Sequence, residues 1–241
     1  MTAEPFRLLI GDPCWSFSDR LPGKTRGASK RYETLSTRDI CRLVLPPVAD
    51  DAVLVLWRVA AMPLDALQVI HAWGFVPKAE LVWRKVSPCW HGWVGKGRDG
   101  VTPYAWSDPR ESVDGRCPDC GRDLVRAFNM GRYVRMEHEV AIIATRGRGL
   151  DLVADHSTRS TFCAPFDNSR ADEENDEDGG HSVKPEAFRG IVERLFAGAM
   201  PRAELFARRE VPGWVPFGTD VGERLELGPP RVGPQLSLVL T

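Results

Sequence analysis

One apolar run constrains the fold more than any other part of the sequence: residues 52–59 read AVLVLWRV. A nearly continuous run of aliphatic residues is typical of a strand that is buried on both faces of a parallel sheet. Such a strand needs a layer of helices on each of those faces. The chain is therefore expected to be an α/β protein, in which a mostly parallel, twisted sheet is flanked by helices.

Strand and helix patterns alternate along much of the remaining chain. Ser36 can cap one helix, and Gly74 can end another. Predicted strands cover residues 6–12, 52–59, 79–85, 139–145 and 203–207, and predicted helices cover residues 36–48, 63–73 and 185–196. Residues 155–183 show neither period, and we predict a loop there.

Composition shifts divide the chain into three parts. Residues 86–130 are rich in Gly, Pro, Trp and Arg and have no clear period. We predict a main domain of residues 1–227, an inserted subdomain of residues 86–130 and a tail of residues 228–241. The inserted subdomain interrupts the strand–helix alternation, and the alternation resumes after it.

The charge distribution is uneven, although the formal net charge is only -1. Six negative charges fall within residues 172–178, so the remainder of the chain is positive by about five charges. That balance is compatible with contacts to nucleic-acid phosphates. No apolar stretch is long enough to span a membrane, and no signal peptide is recognisable, so we expect a cytoplasmic protein.

The first predicted strand leads directly into Gly11-Asp12-Pro13-Cys14-Trp15. Methyl transfer to an exocyclic amine of a base needs an acceptor for the amine hydrogen and a plate for the base. Asp12 and the carbonyl of Pro13 can accept, and Trp15 can stack on the base. The alternative is a strand-end turn with a tryptophan of the core.

A second group of residues predicts a metal site. Cys117-Pro118-Asp119-Cys120 is followed by Gly121, which is the pattern of a zinc-binding turn. Tetrahedral zinc needs four ligands, and Cys89 and His91 are the nearest other candidates. We predict structural zinc held by Cys89, His91, Cys117 and Cys120, with unliganded or redox-active thiols as the alternative.

Six ordered blocks resemble the adenine-N6 methyltransferase family that includes the catalytic subunit of the eukaryotic messenger-RNA methyltransferase and many bacterial and phage enzymes. The similar blocks are Asp-Pro-Cys-Trp at 12–15, YETLS at 32–36, LWRV at 56–59 with LVWRK at 81–85, RMEHEVAIIATRG at 135–147, HSVKP at 181–185, and ELFAR at 204–208 with the Gly residues that follow. The family usually has a second Pro where this chain has Cys14, which leaves the loop freer.

The resemblance implies a Rossmann-like class I methyltransferase that uses S-adenosylmethionine. It implies a permuted motif order, because the tetrad precedes the cofactor-binding strand. It places Lys184, which opens a helix, near the cofactor carboxylate, and Arg208 near its ribose. The remaining implied contacts are Asp12, Thr219 and Asp220 to the cofactor, and Tyr32 and Trp57 to the substrate. This chain has Thr219-Asp220 where the family usually has Asn-Gln or Asn-Glu.

The implied reaction is methylation of adenine N6 in DNA. Methylation of RNA is the first alternative, and methylation of cytosine N4 is a lesser one. A non-enzymatic alternative is a nucleic-acid-binding subunit whose site has decayed. Intact Asp12, Trp15 and Lys184 favour the enzyme. Both a homodimer and a heterodimer are compatible with the sequence.

Overall fold

The computed structural model describes residues 4–16, 19–21, 24–26, 34–86, 129–130, 133–165, 184–218 and 221–229. Its strands are β1 (Phe6–Gly11), β2 (Asp19–Leu21), β3 (Lys24–Arg26), β4 (Val48–Arg58), β5 (Val76–Val86), β6 (Asn129–Met130), β7 (Arg135–Met136), β8 (His138–Arg146), β9 (Thr161–Pro165), β10 (Arg202–Leu205) and β11 (Val215–Phe217). Its α-helices are α1 (Thr37–Arg42), α2 (Pro63–Ala72) and α3 (Glu186–Leu195), and a 3-10 turn covers Gly149–Leu152.

Seven strands form one sheet in the order β11-β10-β1-β4-β8-β5-β9. Neighbouring strands are parallel except around β8, which is antiparallel to both β4 and β5. The carboxyl ends of the six parallel strands and the first residues of β8 therefore lie at the same edge. Ligands of open α/β sheets bind beyond this edge.

Each face of the sheet has its own apolar core. On one face, Leu54 and Leu56 of β4 pack with residues of α1 and α2 such as Ile40 and Ile70. On the other face, Val53 and Val55 pack with residues of α3. Alternate residues of β4 thus serve opposite cores, as the period of two requires. The predicted mostly parallel sheet with helices on both faces is confirmed.

Local signals positioned most elements to within a few residues. The Ser36 side chain caps α1 by accepting from the Asp39 backbone N–H at 3.1 Å. Gly74 adopts a φ of 80° directly after α2, a conformation that glycine tolerates best. The predicted end of α1 was wrong: the helix stops at Arg42, because Leu43 turns extended and pairs with Leu227.

Two strands of the seven-stranded sheet, β9 and β11, were absent from the prediction. The segment from 155 to 183, predicted as a loop, contains β9, in which Phe162 and Ala164 are buried. The short strand β11 pairs with β10 and completes the opposite edge. Both are only three to five residues long, which is too short for a period to be recognised. Among the described residues, no helix is long and apolar enough to cross a bilayer.

Candidate active site

The loop after β1 carries the predicted tetrad at the carboxyl edge of the sheet. Its backbone is held by hydrogen bonds in which the Trp15 N–H donates to the Pro13 carbonyl at 2.8 Å and the Leu35 N–H donates to the Cys14 carbonyl at 2.9 Å. A further bond from the Ser16 N–H to the Leu35 carbonyl measures 2.9 Å. The loop is therefore fixed by the segment before α1, even though Cys14 replaces the second proline of the family's motif.

Asp12 lies in direct contact with the residue that was predicted to bind the cofactor carboxylate. The Lys184 Nζ atom donates to Oδ2 of Asp12 at 2.8 Å, across 172 residues of sequence. The Asp12 side chain is 30% exposed, and the Lys184 side chain is 13% exposed. The Lys184 ammonium also lies 5.3 Å from the centre of the Trp57 ring. The fold thus brings together the N-terminal tetrad and the C-terminal block, as the sequence predicted.

Glu139, the second residue of β8, extends this contact. Its Oε2 atom lies 3.3 Å from Nζ of Lys184, and its Oε1 atom lies 2.6 Å from Nζ of Lys85. Lys85 comes from β5, and its side chain is only 1% exposed. Lys85, Glu139, Lys184 and Asp12 form a continuous chain of ion pairs with equal numbers of positive and negative groups, which we call the edge cluster.

Burial and charge act against each other in the edge cluster. Burial alone would lower the pKa of Lys184, but the Asp12 and Glu139 carboxylates outweigh it and raise that pKa. Burial alone would raise the pKa of Glu139, yet Lys184 and Lys85 lower it. For Lys85, burial prevails over Glu139 and lowers the pKa. Glu139 and Lys184 are therefore held firmly in their charged forms.

Arg208 approaches the same loop from the end of β10. Its guanidinium hydrogen-bonds the Cys14 thiol. Burial raises the pKa of that thiol, and Arg208 lowers it in part. Phe206, which precedes it, has a φ of 63°, a left-handed conformation that is costly for a residue with a side chain. Gly218 lies against the Ala207 carbonyl, where no side chain would fit. The chain thus turns sharply at the edge where Arg208 meets Cys14.

The predicted base-binding groups are close by but engaged within the protein. Trp15 is 3% exposed, and its indole N–H donates to the Trp57 carbonyl at 3.3 Å. Trp57 is also 3% exposed and packs against Phe188, with ring centres 4.5 Å apart. The Pro13 carbonyl accepts the bond from Trp15 described above. Stacking on Trp15 or Trp57 and acceptance by Pro13 stay predictions.

Several predicted site residues lie outside the described part of the chain. They are Tyr32, Thr219 and Asp220 for substrate and cofactor, and Cys89, His91, Cys117 and Cys120 for zinc. Within the described ranges, no group of three or more His, Cys, Asp or Glu side chains could hold a metal ion. The predicted zinc site therefore has no support from the described residues.

The sequence left Glu139 open between a structural hydrogen bond and a substrate contact, and it gave no role to Lys85, the last residue of the block at 81–85. A signal for Lys85 was present in the strand itself. Leu81, Trp83 and Lys85 alternate along β5 and all three are buried, so they share a face. A lysine on a buried face requires a nearby carboxylate. Glu139 was the acidic residue available at the start of an adjacent strand.

Comparison with known proteins agrees with the resemblance. The chain is 22% identical over 227 residues to the N(6)-adenosine-methyltransferase catalytic subunit METTL3 of Homo sapiens, and this match covers 90% of the chain. It is 20% identical over 236 residues to the type II methyltransferase M.MunI of Mycoplasma sp, covering 90% of the chain and 78% of that enzyme. The METTL3 subunit of Danio rerio is 22% identical over 227 residues.

These relatives are distant. The chain spans only 28% of the length of the human and zebrafish METTL3 proteins. No family model matches the chain. The predicted resemblance to adenine-N6 methyltransferases is nevertheless confirmed, because both the subunit and the type II enzyme align over nearly the whole chain.

Proposed function

We propose that this protein methylates the N6 amine of adenine in DNA and uses S-adenosylmethionine as the methyl donor. The observation that carries the proposal is the 2.8 Å contact between Asp12 and Lys184. In this contact, Asp12 can accept a hydrogen of the adenine amine, and Lys184 can bind the carboxylate of S-adenosylmethionine. Both lie at the edge where α/β sheets bind ligands. The distant relatives named above support the reaction class.

The residues present fit the proposed cofactor. Lys184 stands immediately before α3 and carries a positive charge, and the Pro185 side chain does not cap that helix. A cation beside a helix N-terminus suits the carboxylate of S-adenosylmethionine. Arg208 provides a second cation near Cys14. When bound, S-adenosylmethionine would supply an activated methyl group.

Asp12 is the acceptor in this proposal. An exocyclic amine is a weak nucleophile, because its lone pair is delocalised into the base. A carboxylate that accepts one of the amine hydrogens makes that lone pair available to the methyl carbon. Asp12 is 30% exposed at the strand end, so a base that has left its stack can reach it. Trp15 and Tyr32 would contact the base itself.

DNA is proposed as the substrate because M.MunI, the relative whose own length is mostly covered, is named a type II methyltransferase. RNA is the alternative, because the METTL3 proteins are named N(6)-adenosine-methyltransferases. The deciding experiment incubates the protein with labelled S-adenosylmethionine and duplex DNA, single-stranded DNA or RNA. The product is digested, and the nucleoside that carries the label is identified.

The expected result is labelled N6-methyldeoxyadenosine, and an Asp12→Ala variant should abolish the label. Labelled N6-methyladenosine from RNA alone would replace DNA with RNA as the substrate. A protein that binds S-adenosylmethionine but labels no nucleic acid would favour a decayed subunit. A protein that does not bind it, as judged by calorimetry, would overturn the proposed function.

The finer points of the fold belong to the same proposal. The tetrad follows β1 and the cofactor block follows β10, which are neighbouring strands, as a permuted methyltransferase would require.

Zinc held by Cys89, His91, Cys117 and Cys120 would fix the inserted subdomain. Elemental analysis of purified protein tests it, and a zinc content far below one equivalent would remove it. Cytoplasmic location and dimer formation are tested by cell fractionation and size-exclusion chromatography.

A further inference from the structure

Lys85 occupies an unusual position for a lysine. Its side chain is 1% exposed, on a face of β5 that is otherwise apolar, and its ammonium lies 5.2 Å from the centre of the Trp83 ring. An ammonium that is removed from water destabilises the fold unless it is paired. The partner is Glu139, at 2.6 Å. An apolar residue at this position would avoid that penalty, so stability alone does not explain the lysine.

Glu139 connects Lys85 to the proposed reaction site. It gives one carboxylate oxygen to each lysine, Oε1 to Lys85 and Oε2 to Lys184. Lys184 in turn contacts Asp12. With Lys85 present, the four groups are electrically balanced. Without it, two carboxylates would share Lys184, and the cluster would carry one excess negative charge.

We propose that Lys85 is a positioning residue for the methyl transfer proposed above. By engaging Oε1 of Glu139, it neutralises that carboxylate and leaves Lys184 able to bind the carboxylate of S-adenosylmethionine while staying on Asp12. Lys85 itself contacts neither the cofactor nor the base. This inference rests on the proposed function, and it adds a residue whose effect on cofactor binding is electrostatic and transmitted through Glu139.

The test measures the dissociation constant for S-adenosylmethionine by calorimetry, without any methyl acceptor. Lys85→Met leaves the excess negative charge beside Lys184, and we expect binding to weaken about tenfold. Lys85→Met combined with Glu139→Gln removes both charges and restores the balance. This double variant should bind S-adenosylmethionine within about threefold of the parental protein, because charge and not the shape of the lysine matters.

Arg194→Met is the matched control. Arg194 pairs with Asp155 at 3.2 Å and is 26% exposed, in the last turn of α3 and away from the edge cluster. Its loss should lower the unfolding temperature without changing the dissociation constant. If Lys85→Met does not fold, Lys85→Gln takes its place, because the amide can still donate to Glu139 and is also uncharged.

The outcomes distinguish a failure of the inference about Lys85 from a failure of the proposed function. Weaker binding by the single variant and recovery by the double variant support the inference. Parental affinity in Lys85→Met or Lys85→Gln would overturn it. A double variant that binds as poorly as the single one would also overturn it, because the defect would then come from lost packing. If the parental protein itself fails to bind S-adenosylmethionine, the proposed function falls, and the inference falls with it.

Discussion

The two ends of α3 each hold a carboxylate paired with a cation, and the two sites are built differently. Lys184, just before α3, belongs to the edge cluster. At the other end, Arg194 donates to Asp155 at 3.2 Å. Asp155 also accepts from the Ser157 backbone and hydroxyl at 2.8 and 2.5 Å, and from Thr158 at 2.9 Å. We call this second group the turn cluster.

The carboxylate in the turn cluster is satisfied mainly by its own neighbours. Hydrogen bonds from Ser157 and Thr158 hold the pKa of Asp155 far below its usual range, and Arg194 contributes least among the groups that lower it. In the edge cluster, the carboxylates of Asp12 and Glu139 pair with lysines that are distant in the sequence. Because Lys184 comes from a separate element, it can be shared between these carboxylates and a ligand. Asp155 is satisfied within its own turn and offers no such cation.

The largest expected difference between the clusters concerns activity. Asp12→Asn removes the proposed hydrogen acceptor but keeps the shape of the side chain. Turnover of the methylation reaction should fall by about 10²- to 10⁴-fold, the usual contribution of a positioned acid or base. Asp155→Asn is the control, and we expect it to keep parental turnover while it lowers the unfolding temperature.

Methylation rates with labelled cofactor, compared at equal concentrations of folded protein, decide this prediction. Parental turnover by Asp12→Asn would show that the edge cluster is structural in the same sense as the turn cluster. The distinction between the two ends of α3 would then lose its functional meaning.

The same contrast explains what the sequence could predict. The turn cluster lies mostly within residues 155–158, so its geometry follows from local preferences of Asp, Ser and Thr. Likewise Ser36 and Gly74 marked α1 and α2 correctly, because a cap and a left-handed turn are local events. Signals of this kind need no knowledge of the fold.

Long-range pairing was predicted only where a family pattern supplied it. Asp12 and Lys184 were expected together because both belong to matched blocks. The partnership of Lys85 with Glu139 depends on β8 being inserted antiparallel beside β5, and periodicity does not encode a pairing partner. For the same reason β9 was missed: five residues in a polar stretch become a strand only because β5 offers a free edge.

A smaller effect is expected at the backbone that supports the edge cluster. A methyl group on Gly218 would overlap the carbonyl oxygen of Ala207. Because that atom belongs to the backbone, the chain next to Arg208 would have to move. Gly218→Ala should therefore reduce the free energy of unfolding by about 1–3 kcal/mol, the usual cost of overpacking, and should weaken binding of S-adenosylmethionine.

Urea unfolding and calorimetry measure the two consequences separately. If Gly218→Ala had parental stability and affinity, the close packing around Ala207 would have no bearing on the site. The turn cluster lies at the far end of α3, so Gly218→Ala should leave it unchanged.

The two clusters are also expected to differ in how acid affects the stability of the protein. The folded-state pKa of Glu139 is lowered below 4.5, so its stabilising contribution is present above that value and is lost as the pH falls through the folded pKa. Lys184→Met should raise the pKa of Glu139 and make this acid-induced loss smaller. Arg194→Met should leave the acid-induced loss from Asp155 almost intact, because Ser157 and Thr158 remain.

Urea unfolding between pH 2 and pH 7 provides the measurement for both variants. An equal change in the two acid profiles would mean that both carboxylates depend on their cations to the same degree. The proposed division into an exchangeable cluster and a closed one would then fail.

The smallest expected effect lies between the two clusters, at Gly190 in the middle of α3. A methyl group added there would meet nothing within 4 Å. Gly190→Ala should therefore stabilise the protein by about 0.5–1 kcal/mol, since alanine is the better helix former. Because neither end of α3 moves, both the dissociation constant for S-adenosylmethionine and the turnover should stay parental. A change in affinity would mean that α3 couples its two ends, so that the edge cluster depends on the helix as a whole and not only on the ions that meet at the sheet.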